Sequence, residues 1–243
     1  AASVEFHYLH HQPDGTPYEN LAETSERIAA AATTSGIGLT LLPVLYQYGG
    51  CDKRPLDRGQ VRFGNTFDRF ARLVEKAQGA LGSLPADCRL GVAPHSLRAV
   101  ADNDIARVEQ LLPSGPVHMH LAEQQEEVDE VLERYGTRPV TWFLDNCNAG
   151  PRWCLIHCTR MEKTETIRLA GSGAVAGVCP STEANLGDGI FQADTWLEHD
   201  GPIAIGSDSN IRISLAEELR ALEYSQRLRD HARAVLSRSG HST

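Results

Sequence analysis

The sequence predicts an α/β fold built on a parallel sheet. Short apolar runs alternate with helix-like stretches along the chain, as is typical of strands joined by helical crossovers. With 243 residues and 41% hydrophobic content, the chain has the size of one (β/α) barrel rather than of two small domains. We therefore expect a single domain over residues 1–243.

Seven apolar runs are candidate strands. Their lengths and their content of valine, isoleucine and leucine fit strands that are buried in a parallel sheet. The candidate strands cover residues 4–9, 38–46, 89–93, 117–121, 154–156, 174–178 and 202–205.

Between the strands, six stretches have helical character. The last one begins at Ser214 and has Glu217 three residues later, which is the pattern of a capping box. Residues 47–65 follow a strand, are rich in Gly, Arg and Asp, and are too many for an ordinary connection, so we interpret them as a candidate active-site lid. The predicted helices cover residues 18–34, 66–81, 96–112, 122–135, 163–170 and 214–230.

The charge balance narrows the class of ligand. A formal net charge of −9 opposes binding to nucleic acid or to an anionic membrane, since both need a basic surface. No apolar run approaches the roughly 20 residues of a membrane helix, and the first residues do not resemble a signal peptide. We expect a cytoplasmic protein that acts on a small molecule, with its six cysteines reduced.

Side chains that can bind a metal ion or transfer a proton lie at the ends of four candidate strands or shortly after them. They are His95, His120, His157 and Asp208, and in a parallel barrel the carboxyl ends of all strands converge on one mouth. Two imidazoles and one carboxylate around an activated water are what a mononuclear zinc hydrolase needs. Each residue alone has a structural explanation, and Asp208 in particular fits an Asx turn that leads into a helix.

The residues around the second of these histidines leave several roles open. Glu123 follows His120 by three residues, which is close enough for it to move a proton to or from an activated water. His157 is either a zinc ligand or a nearby acid that polarises the substrate. His118 lies deeper in its strand and is as compatible with a packed core histidine as with a ligand, so we assign it no role.

A histidine cluster near the start of the sequence also invites a metal-site interpretation. His7, His10 and His11 lie close together, but Pro13, Asp14 and Gly15 follow them immediately and indicate a turn. We interpret these histidines as surface residues or as residues that support the site, and assign them no ligand role.

Three of these motifs together resemble the amidohydrolase superfamily, in its deaminase branch. They are His-x-Ala-Glu at residues 120–123, Leu-Ile-His at residues 155–157 and Gly-Ser-Asp-Ser-Asn at residues 206–210. Within that superfamily, residues 5–11, 93–98 and 180–189 are similar to the formimidoylglutamate deiminases, and the similarity extends over nearly the whole chain.

The resemblance implies a (β/α)8 TIM-like barrel of the metal-dependent hydrolase type. In that family the first strand ends in His-x-His and supplies two metal ligands, and this chain lacks it, so residues 1–243 would be a catalytic barrel domain that covers strands 2–8 without the family's small β-domain. His95 stands where two-metal members have a lysine, which favours a single metal ion.

The same resemblance implies zinc-dependent hydrolysis of N-formimino-L-glutamate to N-formyl-L-glutamate and ammonia, a step of histidine degradation. One zinc ion would be held by His120, His157 and Asp208. Glu123 would move the proton to the departing nitrogen. Asp208 would also hold or deprotonate the water, while His157 would orient it or stabilise the tetrahedral centre. The family further implies a homodimer.

The substrate has two carboxylates, and Tyr8, His95 and Arg98 are the candidate groups to bind them. Arg98 would lie one helical turn after His95, where a cation is unfavourable beside the helix N-terminus, so its location favours a functional role. Two alternatives remain open: another zinc aminohydrolase of the superfamily, acting on a ring like that of a purine or pyrimidine, or a barrel segment without catalytic function.

Overall fold

The computed structural model describes residues 2–82 and 84–237, which form eight strands and nine helices. The chain divides into a first compact unit, Ala1–Met119, and a second, His120–Thr243. The strand pairings recorded for both units are parallel, so the predicted α/β architecture is confirmed. Within the described residues, none of the helices combines the length and the apolar character needed to cross a lipid bilayer.

The first unit is organised around one central strand. Its elements are β1 (Ala2–His7), α1 (Glu23–Ser35), β2 (Gly38–Leu45), α2 (Phe67–Ala80), β3 (Arg89–Leu90), β4 (Ala93–Pro94) and α3 (Asp102–Leu111). β2 pairs with β1 on one side and with β3 and β4 on the other. Leu41, Leu42, Val44 and Leu45 are fully buried, as expected for a strand that is covered on both faces.

The predicted strand 89–93 is wrong in one respect, because the structure divides it into β3 and β4. Gly91 donates to the carbonyl of Leu41, and the next ladder position on β2 is Pro43, which has no N–H to give. The hydrogen-bonded ladder is therefore interrupted there, and it resumes where Ala93 pairs with Val44.

The second sheet has the order β5-β6-β7-β8. β5 (Val117–Leu121) begins in the first unit, and the remaining elements follow in chain order. These are α4 (Gln125–Tyr135), α5 (Pro139–Asn146), β6 (Trp153–His157), α6 (Lys163–Ala170), β7 (Val175–Val178), α7 (Pro180–Leu186), α8 (Ala193–Glu198), β8 (Ile203–Ile205) and α9 (Leu215–Asp230). Trp153, Leu155 and Val178 are buried in this unit.

Local sequence signals explain where two of the helices start. The side chains of Thr66 and Ser214 accept hydrogen bonds from the backbone N–H groups of Arg69 and Glu217, at 3.3 and 3.4 Å, so each residue is a helix N-cap. The sequence does not predict α5, α7 or α8, which have only eight, seven and six residues. α7 and α8 make fewer than two turns each, which is too few for an apolar period to emerge.

Candidate active site

Three side chains of the second unit meet at the ends of their strands. His120 is the fourth residue of β5, His157 ends β6, and Asp208 follows β8. One potential ligand atom of each residue lies within 4.8 Å of the others, and the two imidazole rings stack with their centroids 5.5 Å apart. Two nitrogen donors and one carboxylate at this spacing fit a zinc ion. The roles assigned to these residues stay predictions.

The backbone is strained where these side chains project. Ala122, His157, Cys158 and Asp208 all have positive φ angles, between 51° and 71°, a region that residues other than glycine seldom adopt. Each such residue costs about 1–3 kcal/mol and persists only where its surroundings impose it. Of the eight non-glycine residues with positive φ in the described part of the chain, these four lie at the ends of β5 and β6 and just after β8, and we interpret these three points as candidate functional positions.

A buried carboxylate imposes the turn that carries Glu123. The two side-chain oxygens of Glu127 accept hydrogen bonds from the backbone N–H groups of Ala122 and Glu123, at 3.0 and 2.9 Å. Thr159 donates from its hydroxyl to the carbonyl of Glu123 at 2.6 Å. The turn is thus fixed by two neighbouring segments, and Glu123, with 13% of its side chain exposed, is held at the site.

The ring of His157 lies between two carboxylates. Its Nε2 is 3.5 Å from Oε1 of Glu123, and its Nδ1 is 3.3 Å from Oε1 of Glu183. Burial alone would lower the pKa of His157, but the hydrogen bond that it donates to Glu183 and the charges of Glu123, Glu183 and Asp208 raise it above its ordinary value. The neighbouring carboxylates thus favour the protonated ring more than burial disfavours it.

Glu183 is a residue that the sequence reasoning missed as part of the site. It lies in the first turn of α7, is 4% exposed, and its Oε1 also accepts from the backbone N–H of Cys179 at 2.7 Å. An ionised carboxylate can only accept, so Nδ1 of His157 must donate to it, which leaves Nε2 as the ring nitrogen that faces Glu123. The motif at residues 180–189, which contains Glu183, carries part of the resemblance to the deiminases, and the sequence alone assigns none of its residues to the site.

A second group of potential ligands, His157, Cys179 and Glu183, shares one histidine with the first and is fully buried. Burial, and then the nearby carboxylates, raise the pKa of the Cys179 thiol, which disfavours the thiolate that binds metals. The first group includes the exposed Asp208. Because a catalytic metal site needs an accessible position, we favour the first group.

The candidate substrate-binding residues lie in the first unit. Tyr8 follows β1 and His95 follows β4, and their ring centroids are 6.3 Å apart. The position predicted for Arg98 is wrong: α3 begins at Asp102 rather than at residue 96, because residues 97–100 form a turn with Leu97, Ala99 and Val100 buried. The argument from the helix N-terminus therefore does not apply to Arg98.

His7, His10 and His11 are buried, with 3%, 0% and 1% exposure, so the interpretation as surface residues is wrong. They hold the long segment 47–65 at its end: Nε2 of His11 bonds to the Gly64 carbonyl at 2.8 Å, and the Asn65 amide donates to Nδ1 of His10, also at 2.8 Å. Burial lowers the pKa of all three, that of His7 to about 4. These rings are therefore neutral.

His118 resembles that cluster more than the site. Burial lowers its pKa to about 4, and among the described residues it belongs to neither group of potential metal ligands. Its backbone N–H donates to the carbonyl of Val92. We interpret it as a core histidine, which was one of the two possibilities that the sequence left open.

The chain is similar to several known proteins. A model of the amidohydrolase family matches residues 85–237. A curated formimidoylglutamate deiminase from Pseudomonas aeruginosa is 48% identical over 241 residues, which are 98% of this chain and 52% of that protein. The chain therefore spans about half the length of this relative.

Solved structures show the same fold. An amidohydrolase from Brucella melitensis is 53% identical, with a TM-score of 0.96 over 98% of this chain and 53% of that one. An adenosine deaminase from Xanthomonas campestris, solved with bound zinc, is 21% identical, with a TM-score of 0.75 over 88% of this chain and 47% of that one. These matches confirm the predicted α/β fold of the TIM-like barrel type.

Proposed function

This chain belongs to the amidohydrolase family, and from that premise we propose that it takes part in the zinc-dependent hydrolysis of N-formimino-L-glutamate to N-formyl-L-glutamate and ammonia. The observation that supports the chemistry is the group of His120, His157 and Asp208 within 4.8 Å, with Glu123 against the ring of His157. The observation that supports the substrate is the 48% identity to a formimidoylglutamate deiminase.

The donor set is suited to zinc. Two imidazoles and one carboxylate are ligands that zinc prefers, and exposure of Asp208 leaves the group accessible. A bound zinc ion would supply Lewis-acid activation of water. We propose that one such ion is held by His120, His157 and Asp208, and that no second ion is needed.

The chain's own residues would then manage the protons. Water adds to the formimino carbon, the bond from that carbon to the terminal nitrogen breaks, and that nitrogen leaves as ammonia. Both protons of the water end in the ammonia: Glu123 would carry one to the leaving nitrogen, and Asp208 would take the other from the hydroxyl of the adduct as the product carbonyl forms. His157 lies within reach of the same carboxylate oxygen, and Glu183 fixes the orientation of its ring.

Substrate selection would depend on the first unit. We propose that Tyr8, His95 and Arg98 bind the carboxylates of the substrate, because a guanidinium pairs with a carboxylate through two hydrogen bonds. A neutral purine or pyrimidine ring has no need of such groups. Homodimer formation, cytoplasmic location and a place in histidine degradation stay predictions.

Ammonia release by zinc-loaded full-length protein tests the proposal. We expect release from N-formimino-L-glutamate and none from adenosine, with a higher KM for N-formimino-L-glutamate in Arg98→Ala. Release from adenosine alone would favour a ring deaminase. Zinc binding without release from either substrate would contradict the proposed activity.

A further inference from the structure

A tyrosine that is not among the predicted site residues lies beside His95. Tyr46 directly follows β2, and its ring centroid lies 4.5 Å from that of His95 in an edge-to-face arrangement. Arg98 is close enough to act electrostatically on the Tyr46 hydroxyl. The phenol is therefore next to both groups that would bind a substrate carboxylate.

The long segment 47–65 determines whether the Tyr46 hydroxyl is available as a hydrogen-bond donor or as an acceptor. The side-chain amide of Gln60 donates to the oxygen of Tyr46 at 3.1 Å, so one lone pair of that oxygen is occupied and the O–H of Tyr46 remains a donor. Gln60 is itself held, because its side-chain oxygen accepts from the backbone N–H of Asp57 at 3.0 Å. The segment 47–65 thus orients the Tyr46 hydroxyl through the side chain of Gln60.

The surroundings make such a donor effective towards an anion. Phe63, from the same segment, packs against Tyr8 and Tyr46 with centroid distances of 4.7 and 5.6 Å, and hydrogen bonds to charged groups are stronger where water is displaced. Burial, opposed by the charge of Arg98, raises the pKa of Tyr46 above its ordinary value, so the phenol keeps its proton at neutral pH. The carboxylate of Asp57, which also acts electrostatically on Tyr46, belongs to an exposed residue and already accepts from the backbone of Gly59 and Gln60.

We propose that Tyr46 is a specificity-determining residue that donates its O–H to a carboxylate of the substrate beside Arg98, and that Gln60 is the positioning residue that aims it. This inference rests on the proposed function, because it deepens the account of the same substrate-binding group. It assigns to the segment 47–65 a part in recognising a dicarboxylate.

The test compares Tyr46→Phe with Tyr48→Phe in full-length, zinc-loaded protein. Both variants lose one phenolic hydroxyl, two residues apart. The probes are N-formimino-L-glutamate for kinetics and glutarate, a five-carbon dicarboxylate without the reacting group, for calorimetric binding. We expect Tyr46→Phe to raise KM and the glutarate Kd about tenfold or more, as for a lost hydrogen bond to a charged group, with kcat within about twofold. Tyr48→Phe should change neither.

A second variant tests the positioning role. Gln60→Leu keeps the Tyr46 hydroxyl but removes the amide that donates to it, so we expect a smaller rise in both constants, about threefold, consistent with the loss of a neutral hydrogen bond. An unchanged glutarate Kd in Tyr46→Phe would overturn the proposal even if hydrolysis occurs. Glutarate binding that depends on Tyr46 in a protein that releases no ammonia would support this inference while contradicting the proposed reaction.

Discussion

The two units use the same residue type in opposite ways. In the first, His7, His10 and His11 are buried among peptide carbonyls, an amide and a hydroxyl, and their pKa values are lowered. In the second, His157 is equally buried but lies between two carboxylates, and its pKa is raised. Burial does not separate a structural histidine from a functional one. The charge of its partners does.

The largest effect should follow from removing the carboxylate on the Nε2 side of His157. Glu123→Gln keeps the size of the side chain and loses its ability to accept a proton, so we expect kcat for ammonia release to fall by about 10²–10⁴. Glu126→Gln is the matched control, because Glu126 is exposed three residues further on. Steady-state kinetics decide the matter, and equal losses in the two variants would show that Glu123 has no special role.

The next effect concerns the carboxylate on the other side of the ring. Glu183→Gln should lower zinc affinity or kcat/KM by about 10–100-fold, the range found when a partner of a metal-site histidine is lost. Glu165→Gln is the control, since Glu165 is also buried and caps a helix, with Arg138 as its partner. Metal titration and kinetics on both variants test this. If Glu165→Gln weakened zinc binding as much, the loss would reflect stability rather than orientation.

Glu123 and Glu183 show which parts of the candidate site can be predicted from the sequence. His120, Glu123 and Asp208 are recognisable because each follows an apolar run, and parallel strands end on the same side of a sheet. Glu183 and Glu127 follow no strand, and they act through backbone N–H groups that sequence patterns do not reveal. Pairing between distant segments, such as Thr159 with the Glu123 carbonyl, likewise appears only in the folded chain.

The fold shows a similar division. Apolar runs correctly indicated the parallel strands except at residues 89–93, where one predicted strand is two, and Thr66 and Ser214 correctly indicated the starts of two helices. The interruption at Pro43 and the late start of α3 depend on which residues lie opposite one another in the sheet. The buried state of His10 and His11 depends on Gly64 and Asn65, which lie more than 50 residues away along the chain.

A moderate effect on stability should follow from the neutral histidines of the first unit. The pKa of His7 is about 4 in the folded chain and about 6.5 when unfolded, so below pH 6.5 the unfolded chain binds more protons. The free energy of unfolding should therefore fall as the pH drops from about 6.5 to about 4, by up to about 1.4 kcal/mol per pH unit for this residue.

Denaturant unfolding at several pH values measures that slope. His7→Gln should flatten it, since the variant has no imidazole to protonate, and His231→Asn, at an exposed position with φ of 53°, should not, because Asn tolerates that conformation. If the dependence of the free energy of unfolding on pH were unchanged in His7→Gln, His7 would not be neutral in the folded chain. The contrast between a lowered pKa in the first unit and a raised pKa at His157 would then not hold for His7.

The smallest effect comes from two helix caps, one in each unit. Thr66→Ala and Ser214→Ala each remove one hydrogen bond to a backbone N–H group, so each should lower the free energy of unfolding by about 1 kcal/mol, while Thr66→Ser and Ser214→Thr should restore most of it. Neither cap residue contacts the histidines that are compared between the two units, so zinc affinity measured on the folded protein should stay constant. A change in zinc affinity with Ser214→Ala alone would mean that the position of Asp208 depends on the start of α9. The difference between the two units would then depend on how their helices begin as well as on the partners of their histidines.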